Sequence, residues 1–475
     1  MLKEKFLKEI EICKEKHLDV VNNDKWRNKY HLMAPIGWIN DPNGLCEFNG
    51  EYHCFYQYSP LTPLGGQKFW GHYVSKDLVN WEEKDIALFP DIYEDKDGVY
   101  SGSAFVKDGT VYFFYTGNSK EEGEHDYIYT GRGHNVILVT SDDCINFSEK
   151  KVVLRNTDYP ANMSCHVRDP KVWEEDGIYY MVLGARTRDD KGCILLYKST
   201  DLYNWELHSI PAGEDENMGY MWECPDIFKL DGKDILMFSP QGIDAKGYKY
   251  NNVYQSGYSV GSFSDNKKKL KLGKFDEIDR GFDFYAPQTF EDSKGRRIVI
   301  GWMGVPDAVD HKNPTVENFW QHQLSIPREL ILKGEKIYQI PVEELKSLRK
   351  EVKEIKDIYL EDKTIFNLFE GNTYELDIDF KDTTYFEIKL RENCILSFKD
   401  GLFKLELGKS GYGRDLRAVE IKSINNLRIF SDSSSVEIFL NNGEEVFSTR
   451  IYNDGIDKSF KIEGNGRANL IRYNL

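Results

Sequence analysis

Arg168-Asp-Pro-Lys-Val-Trp-Glu-Glu-Asp-Gly177, running straight into Ile178-Tyr-Tyr-Met-Val182, carries the repeating unit of the chain. It reads as a strand, a turn closed by glycine and a second strand rich in aromatic and β-branched residues. The layout occurs upstream at Asn40-Asp-Pro-Asn-Gly-Leu-Cys-Glu-Phe-Asn-Gly50 before Tyr52-His-Cys-Phe-Tyr56, and at Tyr100-Ser-Gly-Ser-Ala-Phe-Val-Lys-Asp-Gly109 before Val111-Tyr-Phe-Phe-Tyr115. Downstream it returns at Glu223-Cys-Pro-Asp-Ile-Phe-Lys-Leu-Asp-Gly232 before Ile235-Leu-Met-Phe238, and at Tyr285-Ala-Pro-Gln-Thr-Phe-Glu-Asp-Ser-Lys-Gly295 before Ile298-Val-Ile-Gly-Trp302. Starts at residues 40, 100, 168, 223 and 285 give a period of 55–68 residues. A second echo keeps the same scale: Ser75-Lys-Asp-Leu-Val-Asn-Trp81, Ser141-Asp-Asp-Cys-Ile-Asn-Phe147 and Ser199-Thr-Asp-Leu-Tyr-Asn-Trp205 supply the turn and outer strand of each unit. A strand-rich repeat occurring five times predicts an all-β fold whose main body is a five-bladed β-propeller.

The flanks differ from the repeats. Leu2, Phe6, Ile10 and Cys13 share one helical face, so residues 1–27 are expected to be a helical extension packed on the body. The propeller is expected over 28–335, ending after Ile326-Pro-Arg-Glu-Leu-Ile-Leu332. A charged linker with a short helix follows over 336–358. From 359 to 475 alternating runs such as Tyr385–Leu390, Phe403–Leu407, Leu427–Phe430 and Val436–Leu440, the last before Asn441-Asn-Gly443, predict a C-terminal antiparallel β-sandwich.

Composition narrows the partners. A net charge of −17 leaves no basic stripe for phosphate backbones, so no nucleic-acid partner is expected. No run of 18 apolar residues exists, so no membrane partner is expected either. The eight cysteines contain no C-x-x-C pair and read as buried thiols of a reducing compartment. With no apolar run of signal-peptide length at the N-terminus, the expected location is cytoplasmic. Oligomeric state is left open. His31, His53, His72, His134, His166 and His322 show no metal-ligand spacing, and Ser101 and Ser103 sit in no nucleophile elbow, so neither metal nor cofactor is expected.

Equal positions of a propeller repeat converge on its axis. Asp41 and Asp169 occupy the same position in the first and third repeats, and Glu223 stands one residue earlier in the fourth. Any one of these acids could simply cap a turn. Three at one mouth destabilise each other's ionised forms, an arrangement suited to glycoside hydrolysis. There one carboxylate stays ionised to attack, another keeps its proton for the leaving oxygen, and a third can hold sugar hydroxyls.

Trp38-Ile-Asn-Asp-Pro-Asn-Gly44 resembles the signature of the glycoside hydrolase family 32 invertases and fructanases. Tyr52–Tyr58, Trp70-Gly-His72, Ser101-Gly-Ser103, Arg168-Asp-Pro170, Glu223-Cys-Pro-Asp226, Tyr285-Ala-Pro-Gln288, Pro327-Arg-Glu-Leu330 and Asp432–Phe439 resemble its later motifs in order, over roughly residues 28–475. Ile39 stands where Met or Leu is common, and Tyr100 where Phe is usual. The resemblance implies a propeller plus sandwich and a retaining β-fructofuranosidase working by double displacement. It implies Asp41 as nucleophile, Glu223 as general acid/base, and Asp169 with Arg168 on the fructose hydroxyls. Asn40, Gln57, Trp70 and Ser103 are implied to line the fructose pocket, with Trp38 and Tyr285 as its walls and His72 as structural support. The implied partner is a small-molecule fructoside.

Lys68-Phe-Trp-Gly-His-Tyr-Val-Ser-Lys-Asp-Leu-Val-Asn-Trp81 is similar to the family's bacterial sucrose-6-phosphate hydrolase branch, which ranks sucrose 6-phosphate first, sucrose second and short fructooligosaccharides third. Lys68, Arg132, Arg186 and Arg188 are the basic candidates for a phosphate. The rival readings are a fructosyltransferase or fructooligosaccharide hydrolase of the same family and, from another class, a non-catalytic carbohydrate-binding propeller.

Overall fold

The structure is a computed structural model that describes residues 2–213, 218–309, 311–361, 363–366, 371–391, 393–453 and 459–475. Helix Leu2–Asn22 opens the chain. Ile10 is buried against Phe69 and Phe89, and Phe6 meets Phe69 edge-on at 5.1 Å. Leu2, expected on the same face, is exposed.

Strands Gly37–Phe48, Glu51–Ser59, Phe69–Ser75 and Trp81–Leu88 form the first antiparallel sheet. The second, third, fourth and fifth sheets begin with Val99–Lys107, Met163–Glu175, Met221–Leu230 and Tyr285–Glu291. Each of these first strands adjoins the first strand of the next sheet, and the fifth adjoins the first. Trp320–Gln321, far along the chain, adds to the first sheet parallel to Gly37–Trp38.

The Ser-x-Asp echo works the same way three times. Ser75, Ser141 and Ser199 each donate to the aspartate two residues on, at 3.0 Å. Each aspartate then accepts backbone N–H groups from the turn and the amide of Asn80, Asn146 or Asn204 at 2.7 Å. These side chains mimic a backbone turn and close each outer hairpin without distant partners.

The conserved layout of the first strands has one consequence for chemistry. Pairing with the second strand slips at the start of every motif: between Ile39 and Pro42, Val99 and Gly102, Arg168 and Lys171, Glu223 and Asp226, and Tyr285 and Gln288. Asp169, Cys224 and Ala286 take left-handed φ of 63°, 47° and 47° at these bulges. In a regular strand neighbouring side chains point to opposite faces; a bulge re-aims one of them, so two successive residues can serve one mouth.

The C-terminal part is two six-stranded antiparallel sheets around a core that includes Leu376, Ile388, Leu396, Ile429 and Leu470. The expected linker 336–358 is not a plain connection. Lys336–Pro341 pairs with Arg328–Lys333 in the fifth sheet, and Val352–Tyr359 pairs with Arg467–Asn474 in a sandwich sheet. Alternation hidden in a charged stretch, as in Lys336-Ile-Tyr-Gln-Ile340, buries Ile337 and Gln339 while Lys336, Tyr338 and Ile340 between them stay half-buried. Only the single short 3₁₀ helix Glu343–Leu348 lies between.

Candidate active site

The amides around Asp41 form a directed relay. Trp38 Nε1 and Lys68 Nζ donate to Asn40 Oδ1 at 2.9 and 2.8 Å, which fixes the Asn40 amide. Its Nδ2 therefore donates, to Gln57 Oε1 at 2.7 Å and Asp41 Oδ1 at 3.2 Å. Gln57 Nε2 donates to Ser101 Oγ at 2.5 Å, which leaves the Ser101 proton for Asp41 Oδ2, also at 2.5 Å. Every member passes a donor toward Asp41, a geometry that favours its ionised form. Burial raises the Asp41 pKa above the usual carboxylate range, and the Ser101 and Asn40 hydrogen bonds oppose that rise.

Across from it, Glu223 is held on both oxygens. Arg168 reaches Oε1 through Nη2 and through Nε, the latter at 3.2 Å. Tyr285 Oη and Gln241 Nε2 donate to Oε2 at 2.5 and 2.8 Å. Arg168 and Glu223 start adjacent repeats at the same position, so their contact follows from the register of neighbouring strands.

Asp169 completes the group. Its backbone N–H donates to Thr116 Oγ1 at 2.8 Å, and its Oδ2 accepts the Cys224 N–H at 2.9 Å. Arg168 Nε lies 3.8 Å away. Burial dominates and pushes the Asp169 pKa up to about 7, against the pull of Arg168. The Cys224 thiol bridges the acids, 3.8 Å from Asp41 Oδ2 and 3.7 Å from Asp169 Oδ2.

The other expected residues divide. Trp38, expected as a wall, packs beside Trp302 and His322, its ring centroid 5.8 and 4.3 Å from theirs. Tyr285, expected as a wall, instead holds Glu223 through its hydroxyl. Trp70 is fully buried opposite Gln57 on the neighbouring strand, with its Nε1 on the Tyr100 carbonyl at 3.1 Å. Ser103 faces away and donates to the Pro170 carbonyl at 2.8 Å, so of the two serines it is Ser101 that meets the carboxylate. Gly102 between them is forced, because a Cβ there would lie 2.0 Å from the Phe114 carbonyl oxygen. His72 is buried beside His53, at 3.0 Å, and stacks on Phe55.

Sequence reasoning missed Ser101, Gln241, Trp302 and His322 as members of the site. Ser101 had a signal, since it fills in the second repeat the position that Asp41 and Asp169 fill in theirs. Gln241, Trp302 and His322 belong to no repeat position that carries an acid.

Comparison with known proteins agrees along the whole chain. The family model for the glycosyl hydrolases family 32 N-terminal domain matches residues 31–341, and that for the family 32 C-terminal domain matches 344–471. A sucrose-6-phosphate hydrolase of Bacillus subtilis (strain 168) is 43% identical over 446 residues, covering 92% of this chain and 91% of the relative. The solved structure of a family 32 β-fructofuranosidase of Bombyx mori is 33% identical with a TM-score of 0.88, covering 99% of this chain and 98% of that one. The sucrose-6-phosphate hydrolase structure from Lactobacillus gasseri is 28% identical with a TM-score of 0.87, covering 98% and 96%.

Proposed function

The chain belongs to glycosyl hydrolase family 32, and on that premise we propose that it is a retaining β-fructofuranosidase acting on sucrose 6-phosphate and sucrose. The likeness to the Bacillus subtilis and Lactobacillus gasseri enzymes supports the phosphorylated substrate, and that to the Bombyx mori enzyme supports the fructosyl bond. The five sheets are read as blades of one propeller, with the helical extension before it and the sandwich after a connection narrowed to 342–351. Eight free cysteines fit a reducing cytoplasm.

Asp41 attacks C2 of the fructosyl unit while Glu223 gives a proton to the glycosidic oxygen, and glucose or its 6-phosphate departs. Glu223 then takes a proton from water, which displaces Asp41 from C2 with net retention. Such a double displacement suits carboxyl groups about 5–5.5 Å apart. Asp169 and Arg168 bind fructose hydroxyls as positive charge builds on the ring. The carrying observation is the relay from Trp38 and Lys68 through Asn40, Gln57 and Ser101, which ends on Asp41 and prepares an acceptor-only carboxylate.

Incubation with a slow fluorinated fructoside, followed by peptide mass analysis, tests this reading. Label on Asp41 is expected, and methanolysis should yield the β-fructoside. Label on Asp169 or Glu223, or an α-product, overturns it.

A further inference from the structure

Arg132 heads the strand Arg132–Ser141 beside His166. His166 Nε2 lies 3.1 Å from the Tyr127 carbonyl, which can only accept, so Nε2 carries the proton. Nδ1 then accepts from Arg168 Nη1 at 2.6 Å. Burial, with the charges of Arg168 and Arg132, pushes the His166 pKa down to about 2, so the ring stays neutral and its one proton is committed. Arg132 Nη1, 3.5 Å from Nε2, therefore faces an N–H rather than a lone pair. Arg132 Nε is buried with no hydrogen-bond partner, and among the described residues the side chain forms no ion pair.

The other three basic candidates are engaged or outside. Lys68 donates to Asn40. Arg186 pairs with Asp190 at 2.8 Å and lies over the Tyr220 ring. Arg188 is exposed, with its Nε on the Ala161 carbonyl. Arg132 is thus a half-buried guanidinium that lacks an acceptor, linked through His166 and Arg168 to Glu223, on the side where the leaving group is protonated.

We propose that Arg132 binds the phosphate monoester carried by the leaving group, the 6-phosphate of the glucosyl unit. The site is specificity-determining and rests on the fructosidase reading above. A phosphate dianion supplies oxygens for the side-on fork of Nε and Nη2 at once and a counter-charge for a desolvated cation. With a net charge of −17, the protein as a whole repels such a substrate, so a local fork is what captures it.

The test compares kcat/KM for sucrose 6-phosphate and sucrose in the wild type, Arg132→Gln and Arg132→Lys. The expected result is a wild-type preference for the phosphorylated sugar, with the ratio falling roughly ten- to hundredfold in Arg132→Gln. Arg132→Lys, which keeps the charge but not the fork, should recover part of the ratio. An unchanged ratio in Arg132→Gln, or no wild-type preference, overturns the inference and leaves the fructosidase reading standing; turnover of neither sugar defeats that reading instead. Calorimetry does not depend on turnover: glucose 6-phosphate should bind the wild type at least about tenfold more tightly than glucose or inorganic phosphate, and Arg132→Gln should lose that margin. Inorganic phosphate binding as tightly as glucose 6-phosphate would mark a free-anion site and overturn the assignment.

Discussion

Ser101 Oγ lies 2.5 Å from Asp41 Oδ2 and donates its proton there. A hydrogen bond to a charged acceptor contributes about 1.5–3 kcal/mol, so Ser101→Ala should lower kcat roughly ten- to hundredfold. The bond favours the ionised acid and opposes the rise that burial imposes, so its loss raises the Asp41 pKa further. The acidic limb of the kcat/KM profile should move to higher pH. A limb that stays in place would separate Ser101 from the nucleophile.

Glu223→Gln removes the proton donor but keeps the shape of the side chain. Turnover of sucrose should fall by about 10²–10⁴-fold. A fructoside with a phenolic leaving group, which needs no proton to depart, should lose far less in the first step. Added azide should then restore turnover and yield a fructosyl azide of retained configuration. Equal losses on both substrates would contradict the acid role.

His31 joins the two parts of the molecule. Its Nδ1 meets Asp432 Oδ2 and its Nε2 meets Glu437 Oε1, both at 2.8 Å, with all three side chains fully buried. Burial opposes the ring's charge, but the two carboxylates outweigh it and raise the pKa to about 9. A raised histidine stabilises the fold fully below its unfolded pKa of about 6.5, and that stability is lost as pH rises through about 9. The loss is on the order of 3 kcal/mol. Asp432 and Glu437 are both lowered, so their contributions are present above the ordinary carboxylate range and are lost as pH falls. Urea titrations at pH 6.5 and 9.5 should show the alkaline decline in the wild type and little of it in His31→Gln, which is less stable at the lower pH. The same slope in both proteins would refute the assignment.

Asp283, which precedes the fifth sheet, is fully buried between two arginines of the sandwich. Arg414 Nε approaches to 2.9 Å and Arg450 Nη2 to 2.7 Å, while the Arg450 N–H adds a third bond at 2.8 Å. Removing the carboxylate strands two buried cations. Asp283→Ala should therefore cost about 3–5 kcal/mol in denaturant unfolding. A cost below about 1 kcal/mol would mean that the arginines find other partners.

Much of this was readable from the chain alone. The repeats are local, each built from a turn glycine, a proline and a run of strand formers, and the Ser-x-Asp turns close on themselves. Fold class and the positions of Asp41, Asp169 and Glu223 follow from such short-range patterns. The linker was misread because Lys336–Pro341 and Val352–Tyr359 alternate under a charged composition, and pairing across the chain outweighs it.

By itself the sequence determined that the chain is all-β, that five repeats bring their opening residues together, and that three acids stand among them. Only the tertiary structure decided which neighbours serve those acids. Ser101 and Ser103 are alike in sequence, yet the bulge at Gly102 sends one to Asp41 and the other to Pro170. Tyr285 reaches Glu223 across 62 residues of chain, and Arg132 is left without an acceptor because the Tyr127 carbonyl claims the His166 proton. Such contacts depend on strand register and on the hydrogen-bond direction imposed by a third group, and neither is written in the local pattern of residues.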